Sequence, residues 1–133
     1  MPEYIPWSDI YSVEVPSIDE QHKKLIALIN RLHHHFVERP DDNSVIEAAL
    51  VELESYAQEH FSYEEKLLKE HGYPEYMKHK FEHRNFFRRV EAFRQSDELE
   101  LQELLFFLQS WLTSHIKGVD KRYSDFLVSA GAQ

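Results

Sequence analysis

Four long segments of this chain repeat apolar residues at helical spacing, and each carries a histidine inside its apolar stripe. A stripe of that kind must be buried against other helices. An imidazole buried with it must find a partner, because an unpaired polar group in a core is costly. The fold therefore has to solve two problems together, packing four helices and satisfying the polar side chains they bury.

The first segment runs over 17–38, with the stripe Ile18, Leu25, Ile26, Ile29, Leu32 and Phe36. Ser17-Ile18-Asp19-Glu20 reads as its capping box, and it ends before Pro40. A second helix is expected over 44–71, opened by the capping box Ser44-Val45-Ile46-Glu47 and stopped by Gly72. A third spans 74–95, with Pro74 at the first helical position. A fourth spans 97–117, with Gly118 as its end, and a short tail helix covers Lys121 to Val128. Residues 1–16, with Pro2, Pro6 and Pro16, read as an arm across the bundle. The expected fold is all-α: one domain over 1–133, an antiparallel up-and-down four-helix bundle with an N-terminal arm and a short C-terminal helix.

Composition narrows the chemistry. The chain has no cysteine, which excludes disulfides, thiolate metal sites and cysteine nucleophiles. A net charge of −9 argues against holding phosphate backbones, so no nucleic acid is expected as a partner. No signal peptide is visible and no apolar run suits a membrane span, so the expected location is the cytoplasm, without membrane insertion. The nine histidines are the notable excess.

Laid over the stripes, His22, His60, Glu64, His79, His83 and His115 all fall on core faces. Their depth is the stronger signal. In an antiparallel bundle, residues equally far from a shared turn lie at one height. His22 stands 18 residues before a turn near residue 40 and His60 stands 20 after it. His60 and Glu64 stand 12 and 8 before a turn near residue 72, and His79 and His83 stand 7 and 11 after it. His79 stands 18 before a turn near residue 97, and His115 stands 18 after it. At about 1.5 Å per residue, all six lie within one or two turns of a common level. Asp120 follows His115 by five residues, which is not a helical facing distance. It reads either as a solvated acid after a helix end or as a seventh member turned back over the site beyond Gly118.

The other polar residues read differently. His33, His34 and His35 are consecutive and spread around their helix, and His33 lies about 16 Å from His22. His71 suits a helix C-terminus. Asp19 serves the helix dipole or orients His22, with the dipole favoured. Glu65 reads as part of a solvated face.

Five imidazoles and two carboxylates exceed the four ligands of tetrahedral zinc. They suit two metals bridged by carboxylates. With one bridging oxide or hydroxide added, two six-coordinate ions leave one position open. The nitrogen content suits iron better than calcium or magnesium, which prefer oxygen shells.

The motifs Asp19-Glu20-Gln21-His22-Lys23, His60-Phe61-Ser62-Tyr63-Glu64-Glu65, His79-x-x-x-His83 and His115-x-x-x-x-Asp120 resemble those of the hemerythrin family, specifically its single-domain bacteriohemerythrins. The resemblance covers the chain from Trp7 to about Leu127. It implies two iron ions, cycling between Fe2+ and Fe3+ with a bridging oxide or hydroxide. His79, His83 and His115 would hold one, His22 and His60 the other, and Glu64 and Asp120 would bridge them. Dioxygen would bind reversibly at the open position of the iron held by two histidines, for transport or storage, with an oxygen-consuming enzyme as a candidate recipient. Leu25, Phe61, Trp111, Leu112 and Ile116 lie beside the ligands and read both as core and as an oxygen pocket.

Other functions fit the sequence less well. Ferritin-like enzymes use Glu-x-x-His pairs, and no Glu stands three residues before any histidine here, so no enzyme activity is expected. Sensing of oxygen, nitric oxide or iron, or iron storage, through the same site is the alternative. Sensing usually needs an output domain. A metal-free interaction bundle would leave seven buried polar groups unexplained.

Overall fold

The computed structural model describes residues 4–95 and 101–132. An arm with a single 3-10 turn at Asp9–Tyr11 leads into α1 (Pro16–Glu38), α2 (Asn43–Glu70), α3 (Tyr76–Gln95), α4 (Leu101–Ser114) and α5 (Lys121–Ser129). A π-helical stretch, His115–Asp120, joins α4 to α5 without a break. Helix α1 packs on α2 and α4, and α3 packs on the same two, which closes the antiparallel bundle. Among the described residues, no helix is long and apolar enough to cross a membrane.

Several helix ends differ from the sequence expectation. Pro16 opens α1 instead of closing the arm: its fixed φ suits the first helical position, and Val15 before it is extended. Ser17 does not cap, and accepts a hydrogen bond from the Tyr63 hydroxyl instead. Asp19 turns back to the arm, where Oδ1 accepts from the Val13 amide at 2.8 Å and Oδ2 from the Ser12 hydroxyl at 2.6 Å. Asp42, not Ser44, caps α2 by accepting from the Val45 amide. Glu47 pairs with Arg94 on α3, so the expected Ser44 box does not form. Pro74 lies outside α3, in a turn closed by the Tyr76 amide on the Tyr73 carbonyl, where proline suits the second position. The expected start of the fourth helix, near Ser96 and Asp97, lies outside the described residues.

Helix α2 stops as expected at Gly72. The Tyr73 amide bonds back to the Leu68 carbonyl and the Gly72 amide to Lys69, with Gly72 at φ +70°. Leu68 and Tyr73 belong to one apolar cluster, completing the motif.

The core is divided. One cluster fills most of the bundle, from Leu25, Leu53 and Phe61 to Phe86, Leu108 and Ile116. A second closes the arm end with Val13, Val15, Ile18, Leu68, Tyr123 and Leu127. Three buried polar residues fall between the two: His22 between Ile18 and Leu25, Glu64 between Phe61 and Leu68, and Asp120 between Ile116 and Tyr123, while His60 and His115 are flanked by residues of the first cluster. A polar layer thus crosses an otherwise apolar interior.

Gly72→Ala is expected to lower the unfolding free energy by about 1 kcal/mol, the cost of a left-handed alanine. An added Cβ meets nothing within 4 Å, so the loss is conformational. Urea unfolding at neutral pH measures it, and an unchanged midpoint contradicts the assignment.

Candidate metal centre

The polar layer is built from all four helical rods. Helix α1 supplies His22, α2 supplies His60 and Glu64 one turn apart, α3 supplies His79 and His83 one turn apart, and the π stretch supplies His115 and Asp120. All seven side chains come together, and each residue is at most 4 % exposed.

Asp120 arrives by a route that the spacing did not suggest. Gly118 does not end the helix. The chain widens there into a π turn, with the Lys121 amide bonded five residues back to the Ile116 carbonyl. In such a turn residues five apart face the same way, so Asp120 stands beside His115 at 3.1 Å between Oδ1 and Nε2.

The carboxylates divide the histidines into two groups. Glu64 Oε1 meets His79 Nε2 and lies 3.1 Å from His83 Nε2. Asp120 Oδ1 lies 3.0 Å from His79 Nε2. Glu64 Oε2 lies 3.3 Å from His60 Nε2 and 3.7 Å from His22 Nε2, and Asp120 Oδ2 lies 3.1 Å from His22 Nε2. Two clusters of metal-ligating atoms result, one with Glu64, His79, His83 and His115 and one with His22, His60 and Glu64. Glu64 belongs to both.

The donor set fits metal. Two donors about 2.1 Å from one ion and at right angles lie about 3.0 Å apart, close to the spacings here. His83 Nε2 and His115 Nε2 face each other at 3.3 Å. Among the described residues, both Asp120 oxygens and both His22 nitrogens are buried without a hydrogen-bond partner. Close approach without hydrogen-bond alignment is what ligands of a shared cation show.

Hydrogen bonds orient several members from behind. His60 Nδ1–H donates to Gln21 Oε1 at 2.7 Å, and His83 Nδ1–H donates to Glu65 Oε2 at 2.9 Å. Such bonds fix the tautomer and turn Nε2 inward. Glu65 therefore belongs to the site's surroundings and not to a solvated face. The Tyr123 hydroxyl, fully buried, donates to Glu64 Oε2 at 2.9 Å. Sequence reasoning missed Gln21, Glu65 and Tyr123. Gln21 and Glu65 lie inside the motifs that carry the family resemblance, and Tyr123 stands three residues after Asp120; those positions are the signal that could have found them.

Of the expected pocket residues, Leu25, Phe61, Leu112 and Ile116 are buried and Trp111 is half-buried. Phe61 stacks on the His83 ring at 3.9 Å, and Trp111 stacks on His115 at 4.4 Å. His33 instead stacks on Tyr4 of the arm at 4.1 Å, and His34 is exposed, so the triple takes no part.

Without metal, burial lowers His60, while His22 and His79 are driven the other way. Burial acts to lower His22 and His79, but the Asp120 and Glu64 carboxylates outweigh it and raise them to about 9 and about 10 from the ordinary 6.5. Burial alone would raise both carboxylates, yet the surrounding histidines hold them well below their usual range. Raised histidines contribute stability that is complete below their unfolded value and lost as pH rises through the folded one. The melting temperature of the metal-free chain is therefore expected to fall as pH rises from about 7 to about 10. Metal should displace these protons, so loading should release acid and remove that fall. Calorimetric melts with and without metal check both. A metal-free melting temperature that is flat over this window contradicts the proton assignment.

Comparison with known proteins gives the family and the fold. The hemerythrin HHE cation-binding domain model matches residues 14–127. A bacteriohemerythrin of Stenotrophomonas maltophilia is 34% identical over 122 residues, covering 90% of this chain and 78% of that protein. One from Clostridium acetobutylicum is 33% identical, covering 90% of this chain and 98% of that protein. A hemerythrin-like protein of Naegleria gruberi is 32% identical, covering 96% and 97% respectively. A crystal structure of wild-type hemerythrin superposes with a TM-score of 0.75 at 26% identity, covering 92% of this chain and 96% of that one. With its site layer carried on the same fold, the chain belongs to the hemerythrin family.

Proposed function

We propose that the chain binds dioxygen reversibly, as a carrier or store, at a pair of iron ions held by His22, His60, Glu64, His79, His83, His115 and Asp120. The observation that carries this reading is the division of both carboxylates between two unequal groups of histidines. Oε1 and Oδ1 face three imidazoles, while Oε2 and Oδ2 face two. One side is thus a nitrogen short, which supports an open position there. Bound iron would supply that position together with the reversible electron transfer that holds dioxygen without consuming it.

The chain's own residues supply the rest. Glu64 and Asp120 tie the two groups together. Gln21 and Glu65 aim His60 and His83. Tyr123 holds Glu64 by Oε2, on the side of the two-histidine group. Phe61, Leu25, Leu112 and Ile116 are buried, and Trp111 lies flat on His115. Such walls keep water and stray protons from the site, which favours release of intact dioxygen over its reduction.

Iron per chain, followed by a cycle of reduction, oxygenation and degassing, tests the proposal. Two irons and a visible band that disappears on degassing are expected. Zinc, a single iron or irreversible bleaching would overturn it. Tyr123→Phe should leave the bundle folded and speed loss of iron to a chelator by about tenfold, since it frees one Glu64 oxygen. A chelation rate equal to that of the unaltered chain would remove Tyr123 from the site.

A further inference from the structure

Helix α3 carries six of the chain's fifteen lysines and arginines, against two glutamates, in a protein of net charge −9. Its inner face supplies His79 and His83. Its outer face aligns Met77, Phe81, Arg84 and Arg88 along one side, at helical spacing. Met77 is 70 % exposed and Phe81 59 %, and both arginines are exposed. Arg94 pairs with Glu47 and Glu54, and Arg89 lies over the Phe107 ring. Lys78, Arg84 and Arg88 make no ion pair among the described residues. Glu91 lies within this outer face, and Glu75 and Glu82 flank Lys78 at its edge, so the cationic part of the face is Arg84 and Arg88. A small apolar centre edged by free cations is the anatomy of a short-lived encounter surface.

Resting on the proposed iron centre, we propose that this face docks an acidic one-electron carrier protein that returns oxidised iron to the ferrous state. Only ferrous iron can give dioxygen the electrons that hold it, so an oxidised centre stays idle until reduced. The histidines are buried, so a protein reductant cannot touch them. Helix α3 is one thin cover over the site, about 10 Å across, with ligating side chains on one face and the docking residues on the other. Each reduced carrier gives up one electron and is thereby oxidised by one electron, so two carriers in turn convert the two ferric ions to ferrous, and no atom is transferred. The net charge of −9 repels an acidic partner on the whole, which makes the basic helix the favoured approach. Two exposed apolar side chains are too few to seat the helix in lipid, which favours a protein over a membrane.

The test uses the iron-loaded chain in its ferric form and reduced flavodoxin, an acidic one-electron carrier. Reduction is followed by stopped flow and association by flavodoxin anisotropy, both at low salt. Arg84→Glu combined with Arg88→Glu should slow reduction by flavodoxin about tenfold or more and flatten its salt dependence. The same variant should be reduced by free dihydroriboflavin at the unaltered rate. Arg31→Glu, on α1 and paired with Glu52, is the charge control and should change little. Equal slowing by the α1 control, or an unchanged rate in the α3 variant, overturns the proposal. Binding to vesicles with about one-third anionic lipid through this face, without flavodoxin binding, overturns it in favour of a membrane. The anisotropy readout needs no oxygen cycle, so failure of reversible oxygenation and failure of docking are separate results.

Discussion

Five imidazoles and two carboxylates leave water together at one level of this bundle, and an isolated charge buried in this way costs several kcal/mol. The cost is offset only where each group finds a counter-charge, a proton or a metal. Every other feature around the layer serves that requirement. The two apolar clusters above and below it hold the helices in register. The bonds from His60 to Gln21 and from His83 to Glu65 hold the imidazoles at their orientations. The arm, fastened by Asp19 and by the Ser124 hydroxyl on the Val13 carbonyl, closes the end nearest the layer.

Much of this was legible beforehand, for a definite reason. An i, i+4 pair such as His60 and Glu64, or His79 and His83, is a statement about one helix face. Equal distance from a shared turn is a statement about height. Together they locate side chains without knowledge of packing. The two rules fail where the backbone leaves α geometry, as it does at Gly118. Gly118 in the sequence reads as a helix stop and not as part of a π turn, so Asp120 could be included only by resemblance. Helix starts were read less well. Ser17 and Ser44 each satisfy a capping pattern, but Pro16 and Asp42 lie closer to where the chain turns. Residues that orient ligands were missed because neither motif membership, for Gln21 and Glu65, nor nearness in sequence, for Tyr123, says which side chain touches a ligand. Only contact distinguishes them from other polar residues.

Charge is unevenly distributed among the helices that build the layer. Acids dominate the chain, yet α3 is basic. Helix α2 also carries two buried ligands inward, yet it is acidic, so the basic character of α3 is particular to that helix.

The π turn has a reach beyond Asp120. A regular helix advances about 100° per residue, so one extra residue in a turn rotates everything after it by that amount. Tyr123 on Glu64, Ser124 on the arm and Leu127 in the end cluster all lie downstream of the widened turn. The turn therefore works as a phase shifter: it sets the angular position of the tail helix as well as one carboxylate. Trimming a single residue there would turn the whole tail away from the bundle, so the length of this segment is as tightly specified as the identity of any residue in the site.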